Sequence, residues 1–96
     1  MTLQNLRETR RTEILRLAGK RGACRVRVFG SVVRGDTRPG SDVDFLVDME
    51  PGRTLLDLSG LVLDLEGLLG TSVDVVTEAG LRSRIRERVL AEAVPL

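Results

Sequence analysis

Residues 24–48, CRVRVFGSVVRGDTRPGSDVDFLVD, contain the pattern that decides the fold. Polar and apolar side chains alternate over residues 24–29 and again over residues 42–48, and such alternation is typical of β-strands. A short helical turn at 31–34 and a loop at 35–41, which holds glycine, aspartate and proline, lie between them. We therefore predict two strands joined by a turn and a loop.

The rest of the chain is predicted to add helices and one more strand. Apolar residues at helical spacing predict helices over residues 3–19, 55–69 and 81–93. Thr2 and Thr54 stand where an N-cap residue is needed, and alternation predicts a third strand over 72–77. An apolar stripe that we expect to pack on the sheet runs along the last helix through Leu81, Ile85 and Val89. The order predicts a mixed α/β (α+β) fold with a small three-stranded mixed sheet flanked by helices.

Length and composition limit the class of protein. The chain has 96 residues, a net charge of +1 and 42% hydrophobic residues, so we expect one ordered domain over 1–96. Cys24 is the only cysteine and histidine is absent, which excludes a disulfide framework and leaves zinc almost no ligands. No apolar run exceeds three residues, so we expect no membrane span, no secretory signal and a cytoplasmic location.

Charge is distributed unevenly along the chain. Residues 1–34 carry nine basic and two acidic side chains, whereas residues 36–78 carry two basic and ten acidic ones. Residues 79–96 are again basic, with four basic and two acidic side chains. Most of these charges are expected to be ordinary solvated surface, but an acidic middle between basic ends can hold cations and polyanions side by side.

Three aspartates on two predicted strands form the candidate site. Asp42 and Asp44 are two residues apart, so their carboxylates share one face of a strand. That pair alone is weak evidence, but it completes a G-S-x10-D-x-D pattern that begins at Gly30 and Ser31. A glycine allows close approach of a phosphate, and the amides and hydroxyl at the start of a helical turn can bind it. Asp74 lies among valines, where a shared metal ion would offset the cost of burying a charge.

Two stretches of the chain resemble a known family. They are FGSVVRGDTRPGSDVDFLVDMEPG and LEGLLGTSVDVVTEAGLRSRIRERVLAEAVPL, residues 29–52 and 65–96. With the motif Gly30-Ser31, Arg34-Gly35, Asp42-x-Asp44 and Asp74, they resemble the minimal nucleotidyltransferases of the DNA polymerase β superfamily. The resemblance covers about residues 24–95 and implies a polymerase β-like palm core.

The resemblance also implies a reaction and its catalytic residues. Members of the family transfer a nucleoside monophosphate, usually AMP from ATP, to a hydroxyl group. By resemblance, Asp42 and Asp44 would hold two Mg²⁺ ions, the hard cations that oxygen ligands suit. Asp74 would complete the ligands of the second ion and could accept the proton of the hydroxyl.

The same resemblance assigns nucleotide-binding residues. Gly30 and Ser31 would grip the β- and γ-phosphates. Arg34 would help to offset phosphate charge, although an ordinary ion pair with Asp36 or Asp42 is an equal alternative at this point. No aromatic side chain is an obvious stacking partner for a base, so the choice of ATP rests on the resemblance alone.

Small members of the family are often encoded beside a HEPN-domain ribonuclease toxin and neutralise it by attaching AMP to a tyrosine. The resemblance thus implies an antitoxin with a toxin partner, with a hetero-oligomer left open and neither nucleic acid nor membrane as ligand. The leucine-rich helix 55–69 is expected to supply the contact. Two alternatives stay open: a non-catalytic module that occludes its partner, and, less favoured because no drug-binding domain is present, a drug-modifying enzyme.

Several other residues are predicted to be structural. Cys24 is expected to be a small core residue, and Asp48 a solvated strand end. Phe29 and Phe45 are expected to lie in the core rather than to stack on a base.

Overall fold

A mixed sheet forms the centre of the computed structural model, which describes residues 1–96. Its four strands are β1 (Ala23–Phe29), β2 (Val43–Met49), β3 (Val73–Thr77) and β4 (Val94–Pro95). The strands lie in the order β3-β2-β1-β4, with β1 antiparallel to both β2 and β4, and β2 parallel to β3. The predicted mixed sheet with flanking helices is confirmed, but the prediction of three strands is wrong.

The additional strand, β4, is too short to produce a sequence pattern. It pairs Val94 with Val28 and Pro95 with Arg27 at the edge of the sheet. Two residues cannot show alternation, and proline lacks the N–H group that a central strand would need. Pro95 therefore marks the end of the preceding helix and also sits in an edge strand, where proline is tolerated.

The helices are α1 (Leu3–Asn5), α2 (Arg11–Lys20), α3 (Ser31–Arg34), α4 (Leu55–Leu69) and α5 (Ser83–Glu92). A π-helical turn over Leu6–Arg10 joins α1 to α2, so the predicted helix 3–19 is interrupted. On a regular helix Leu6 and Ile14 would point roughly 80° apart. Both are completely buried, because the wider turn brings them onto one face.

Helix α4 has the bounds that the sequence predicts. The Thr54 hydroxyl accepts a hydrogen bond from the Leu56 N–H, and the Asp57 carboxylate accepts one from the Thr54 N–H at 3.2 Å. This is a capping box, which satisfies amide groups that the first turn cannot pair. Gly70 ends the helix with a left-handed backbone, at φ 68°.

The two faces of the sheet have different roles. Val43, Phe45 and Val47 of β2 are buried in the main core, which the helices α2 and α4 complete with Ile14, Ala18, Leu61 and Leu65. The opposite face of β2 carries Asp44, Leu46 and Asp48. Leu46 is fully buried on that face, and Val89 of α5 is 4% exposed, although neither joins the main core cluster. The aspartate face therefore has a second, smaller apolar patch.

Two predictions about the core are wrong. Cys24 is exposed because the register of β1 against β2 shifts between Cys24 and Arg27, and Arg25 takes φ 49° in this bulge. The stripe on the last helix also packs only in part. Leu81 precedes α5 and is half-buried, while Ile85 in its first turn is 45% exposed. Only Val89 of the stripe is buried.

The helices are short relative to a lipid bilayer. The longest, α4, has 15 residues, and none combines the length and hydrophobicity that a membrane span requires.

Candidate active site

The sheet places Asp44 and Asp74 side by side on one face, and Asp42 lies just before the strand that carries Asp44. Asp44 of β2 is the register partner of Asp74 on β3, so their side chains are neighbours on the same side. Asp42 lies immediately before β2, two residues from Asp44, and its charge acts on the Asp44 carboxylate. Asp42 and Asp74 are exposed and Asp44 is half-buried.

The three carboxylates interact electrostatically. Burial raises the pKa of Asp44 to about 6, and repulsion from Asp74 and then Asp42 adds to the increase. No three acidic or thiol side chains converge on one point as a preorganised metal site. The donor chemistry nevertheless fits a hard cation, because the site offers only carboxylates and the chain has no histidine.

Gly30 places the main chain directly against Asp44. Its backbone has φ 79° and ψ −152°, a conformation that side-chain-bearing residues rarely adopt. A β-carbon at this position would overlap Oδ2 of Asp44. Ser31 begins α3 directly after it, and the Gly30 carbonyl accepts hydrogen bonds from the N–H groups of Val33 and Arg34 at 3.0 and 3.1 Å. The glycine-serine turn and the aspartates therefore form one site.

Arg34 forms ion pairs with two carboxylates. Its Nε lies 3.2 Å from Oδ2 of Asp36, and its Nη1 lies 2.7 Å from Oε1 of Glu92. Both hydrogen bonds raise the pKa of the guanidinium. Asp42 is not a partner. Sequence reasoning missed Glu92, because it lies 58 residues from Arg34 and only the packing of α5 brings them together.

A second charged cluster occupies the same sheet face at the far end of β2. Arg27, whose side chain is only 9% exposed, pairs with Asp48 at 3.2 Å and with Glu78 at 3.3 Å. Arg25 approaches the same two carboxylates at 3.7 Å. The prediction that Asp48 is a solvated strand end is therefore wrong.

Clefts open on two sides of α5. One, of about 590 Å³, is lined by Arg34, Arg88, Ala91 and Glu92, and so begins at the arginine that follows the glycine-serine turn. The other, of about 510 Å³, lies near Arg25, Arg27 and Leu90, beside the second charged cluster.

Comparison with known proteins identifies the family of the chain. A family model described as "Nucleotidyltransferase domain" matches residues 11–96. Protein adenylyltransferase MntA of Thermococcus cleftensis is 39% identical over 94 residues, which cover 98% of this chain and 95% of that protein. The chain belongs to the nucleotidyltransferase domain family.

Solved structures show the same fold. A structure described as a candidate minimal nucleotidyltransferase is 58% identical, with a TM-score of 0.86, and the match covers 100% of this chain and 97% of that one. A crystal structure described as a toxin-antitoxin with AMP-PNP has a TM-score of 0.76 at 19% identity, over 90% of this chain and 71% of that one. At that identity the likeness concerns the fold alone.

Proposed function

We propose that residues 1–96 form one nucleotidyltransferase domain that transfers AMP from ATP to a tyrosine hydroxyl of a HEPN ribonuclease toxin. The modification neutralises the toxin, so the chain acts as an antitoxin. The observation that carries the proposal is the contact of Gly30 with Asp44, whose neighbour on the same sheet face is Asp74 and whose carboxylate is repelled by Asp42. A relative also supports the proposal, because the protein of Thermococcus cleftensis is named a protein adenylyltransferase.

Asp42, Asp44 and Asp74 would hold two Mg²⁺ ions. The ions, when bound, offset the charge of the triphosphate and lower the pKa of the attacking hydroxyl. Support for this assignment comes from the all-oxygen donor set and from the crowding that raises the pKa of Asp44, which a bound cation would relieve.

The residues of the chain then have separate tasks. Gly30 and Ser31 bind the β- and γ-phosphates, and Arg34 supplies positive charge beside them. The tyrosine oxygen attacks the α-phosphorus, a new O–P bond forms, and the bond to the bridging oxygen of the β-phosphate breaks. Pyrophosphate leaves in line. The hydroxyl proton passes to Asp74, which is exposed and therefore reachable from the acceptor side.

The acceptor is proposed to be a protein because nothing in the described fold encloses a small acceptor. Leu55, Leu56 and Leu63 of α4 are 79%, 81% and 69% exposed, which supports a contact with a partner chain. A toxin is favoured because a solved structure with the same fold is described as a toxin-antitoxin.

The same exposed leucines favour one alternative, in which the chain neutralises its partner by occlusion without catalysis. A variant that keeps α4 intact but lacks the central aspartate distinguishes the two. If Asp44→Asn still forms the complex and neutralises the toxin without any label transfer, occlusion is sufficient.

The direct test of the proposal uses radiolabelled ATP and a HEPN-domain toxin. Label at the α-phosphate should appear on a toxin tyrosine, whereas label at the γ-phosphate should be released as pyrophosphate. EDTA should stop the transfer and Mg²⁺ or Mn²⁺ should restore it. Asp44→Asn should abolish transfer with the fold intact, and transfer at the wild-type rate in this variant would contradict the assignment.

A further inference from the structure

Arg88 is a cation on α5 without an ionic partner, and the packing of α5 places it beside Glu92. Its neighbour Val89 is buried at 4% exposure, so the orientation of the helix on the sheet is set. Glu92 follows four residues later, a spacing at which arginine and glutamate commonly pair on a helix. Glu92 instead binds Arg34 at 2.7 Å, and Arg88 has no carboxylate within 4.0 Å.

Arg88 lines an open cleft that it shares with Arg34, the residue that ends the helix after the glycine-serine turn. Arg34, Arg88, Ala91 and Glu92 line this opening, whose volume is about 590 Å³. Arg34 ends α3, the helix that begins one residue after Gly30. The cleft is therefore separated from the contact between Gly30 and Asp44 by a single helical turn.

We propose that Arg88 is a second phosphate-binding arginine, which contacts the β- and γ-phosphates of the nucleotide across the cleft from Arg34. The inference rests on the proposed nucleotidyl transfer and adds a substrate-binding residue from α5. Arginine binds phosphate through two parallel hydrogen bonds, which gives it both charge and geometry for this task.

Charge balance explains why Arg34 alone is insufficient. Its guanidinium is already shared between Asp36 and Glu92, at 3.2 and 2.7 Å. An incoming triphosphate adds further negative charge beside these two carboxylates and the three aspartates. Arg88 is the cleft-lining cation whose charge no carboxylate offsets, so it can compensate for the phosphates without breaking an existing ion pair.

The test is a calorimetric titration of the full chain with AMP-PNP and Mg²⁺, which reports affinity without turnover. Arg88→Gln should raise the dissociation constant for AMP-PNP about tenfold, because one charge-assisted contact is lost. Arg88→Lys should lose part of the affinity, because it keeps the charge but not the paired hydrogen bonds. Titration with AMP should give the same affinity in wild type and Arg88→Gln, since AMP lacks the β- and γ-phosphates.

Arg84→Gln is the matched control. Arg84 is exposed on the same helix, carries the same charge and does not line the cleft, so its loss should change AMP-PNP affinity by less than about twofold. Both variants should melt at the wild-type temperature, because both side chains are exposed.

Three outcomes would overturn the inference. Equal AMP-PNP affinity in Arg88→Gln and wild type would remove Arg88 from the site and leave the proposed function intact. Equal affinity together with weaker toxin binding would assign the cleft to an acidic segment of the partner. Failure of the wild-type chain to bind AMP-PNP would reject the proposed function itself, and the inference with it.

Discussion

Gly30 and Asp44 are packed so closely that a β-carbon on residue 30 would overlap the Asp44 carboxylate. The glycine is therefore needed for space as well as for its positive φ of 79°. This contact connects the end of β1 to the middle of the acidic site. Any side chain at position 30 must displace the carboxylate that is central to the proposed mechanism.

Gly30→Ala should consequently reduce AMP transfer by about tenfold or more and lower the free energy of unfolding by about 1–3 kcal/mol. Transfer of α-labelled ATP and urea unfolding measure the two effects. Gly35→Ala is the control, because Gly35 also has φ 79° but its β-carbon would meet no atom within 4 Å. If both variants lose the same activity, the contact with Asp44 is not the cause.

The pKa of Asp44 makes stability depend on pH in a defined direction. Its folded pKa of about 6 exceeds the usual value of 3.8, so the folded state binds more protons between these values. In the absence of metal, this residue's contribution to the free energy of unfolding should therefore fall as pH rises from 4 to 6 and remain low above 6. The half-exposed position reduces the effect to about 1–2 kcal/mol, from the roughly 3 kcal/mol of the full shift.

Asp44→Asn isolates this contribution, because other carboxylates titrate in both proteins. Urea unfolding at several pH values should show the variant gaining stability relative to wild type as pH increases from 4.5 to 7. A difference between the two proteins that does not change with pH would contradict the raised pKa of Asp44.

Asp74→Asn should affect turnover more than nucleotide affinity, since Asp74 is proposed to act on the acceptor hydroxyl. We expect AMP-PNP binding within a few-fold of wild type and a maximal rate lowered by about a hundredfold, as for loss of a general base. Asp48→Asn is the control. Asp48 lies on the same sheet face, but it forms its ion pair with Arg27 at the far end of β2 and does not belong to the proposed site. An Asp74 variant that loses affinity but keeps its maximal rate would refute this role.

Leu56→Asp should weaken the proposed complex with a HEPN toxin by about tenfold or more and leave the fold unchanged. Leu56 is 81% exposed, the highest value among the large apolar side chains, so a charge there meets water in the free chain. Gel filtration with the toxin and thermal melting measure the two properties. Leu15→Asp, on α2 at 40% exposure, is the control outside this surface. Unaltered association in the Leu56 variant would place the contact elsewhere.

Much of the fold could be predicted because its signals are local. Helix α4 and strand β2 could be predicted, because the periodic pattern of their apolar residues is visible within a short stretch of sequence. The bulge in β1 could not be predicted, since the positive φ of Arg25 accompanies a shift in the register of β1 against β2, which no local pattern encodes. Strand β4 could not be predicted either, because two residues are too few to show a periodic pattern.

The residues of the candidate site also differ in whether a local sequence pattern predicts them. Asp42, Asp44, Gly30 and Ser31 belong to one continuous motif, so spacing alone suggests that they act together. The engagement of Arg34 with Glu92 depends on how α5 packs, and no local pattern encodes a contact across 58 residues.

The parallel pairing of β2 with β3 has a consequence for the order in which the molecule folds. Parallel neighbours need a crossover, here the segment 50–72 that contains α4, whereas β1 and β2 are antiparallel neighbours in sequence. Closing the longer segment costs more conformational entropy, so we expect it to be slower. We therefore expect the contact between Gly30 and Asp44 to form before Asp74 joins the site, and the proposed AMP transfer to require this long-range pairing.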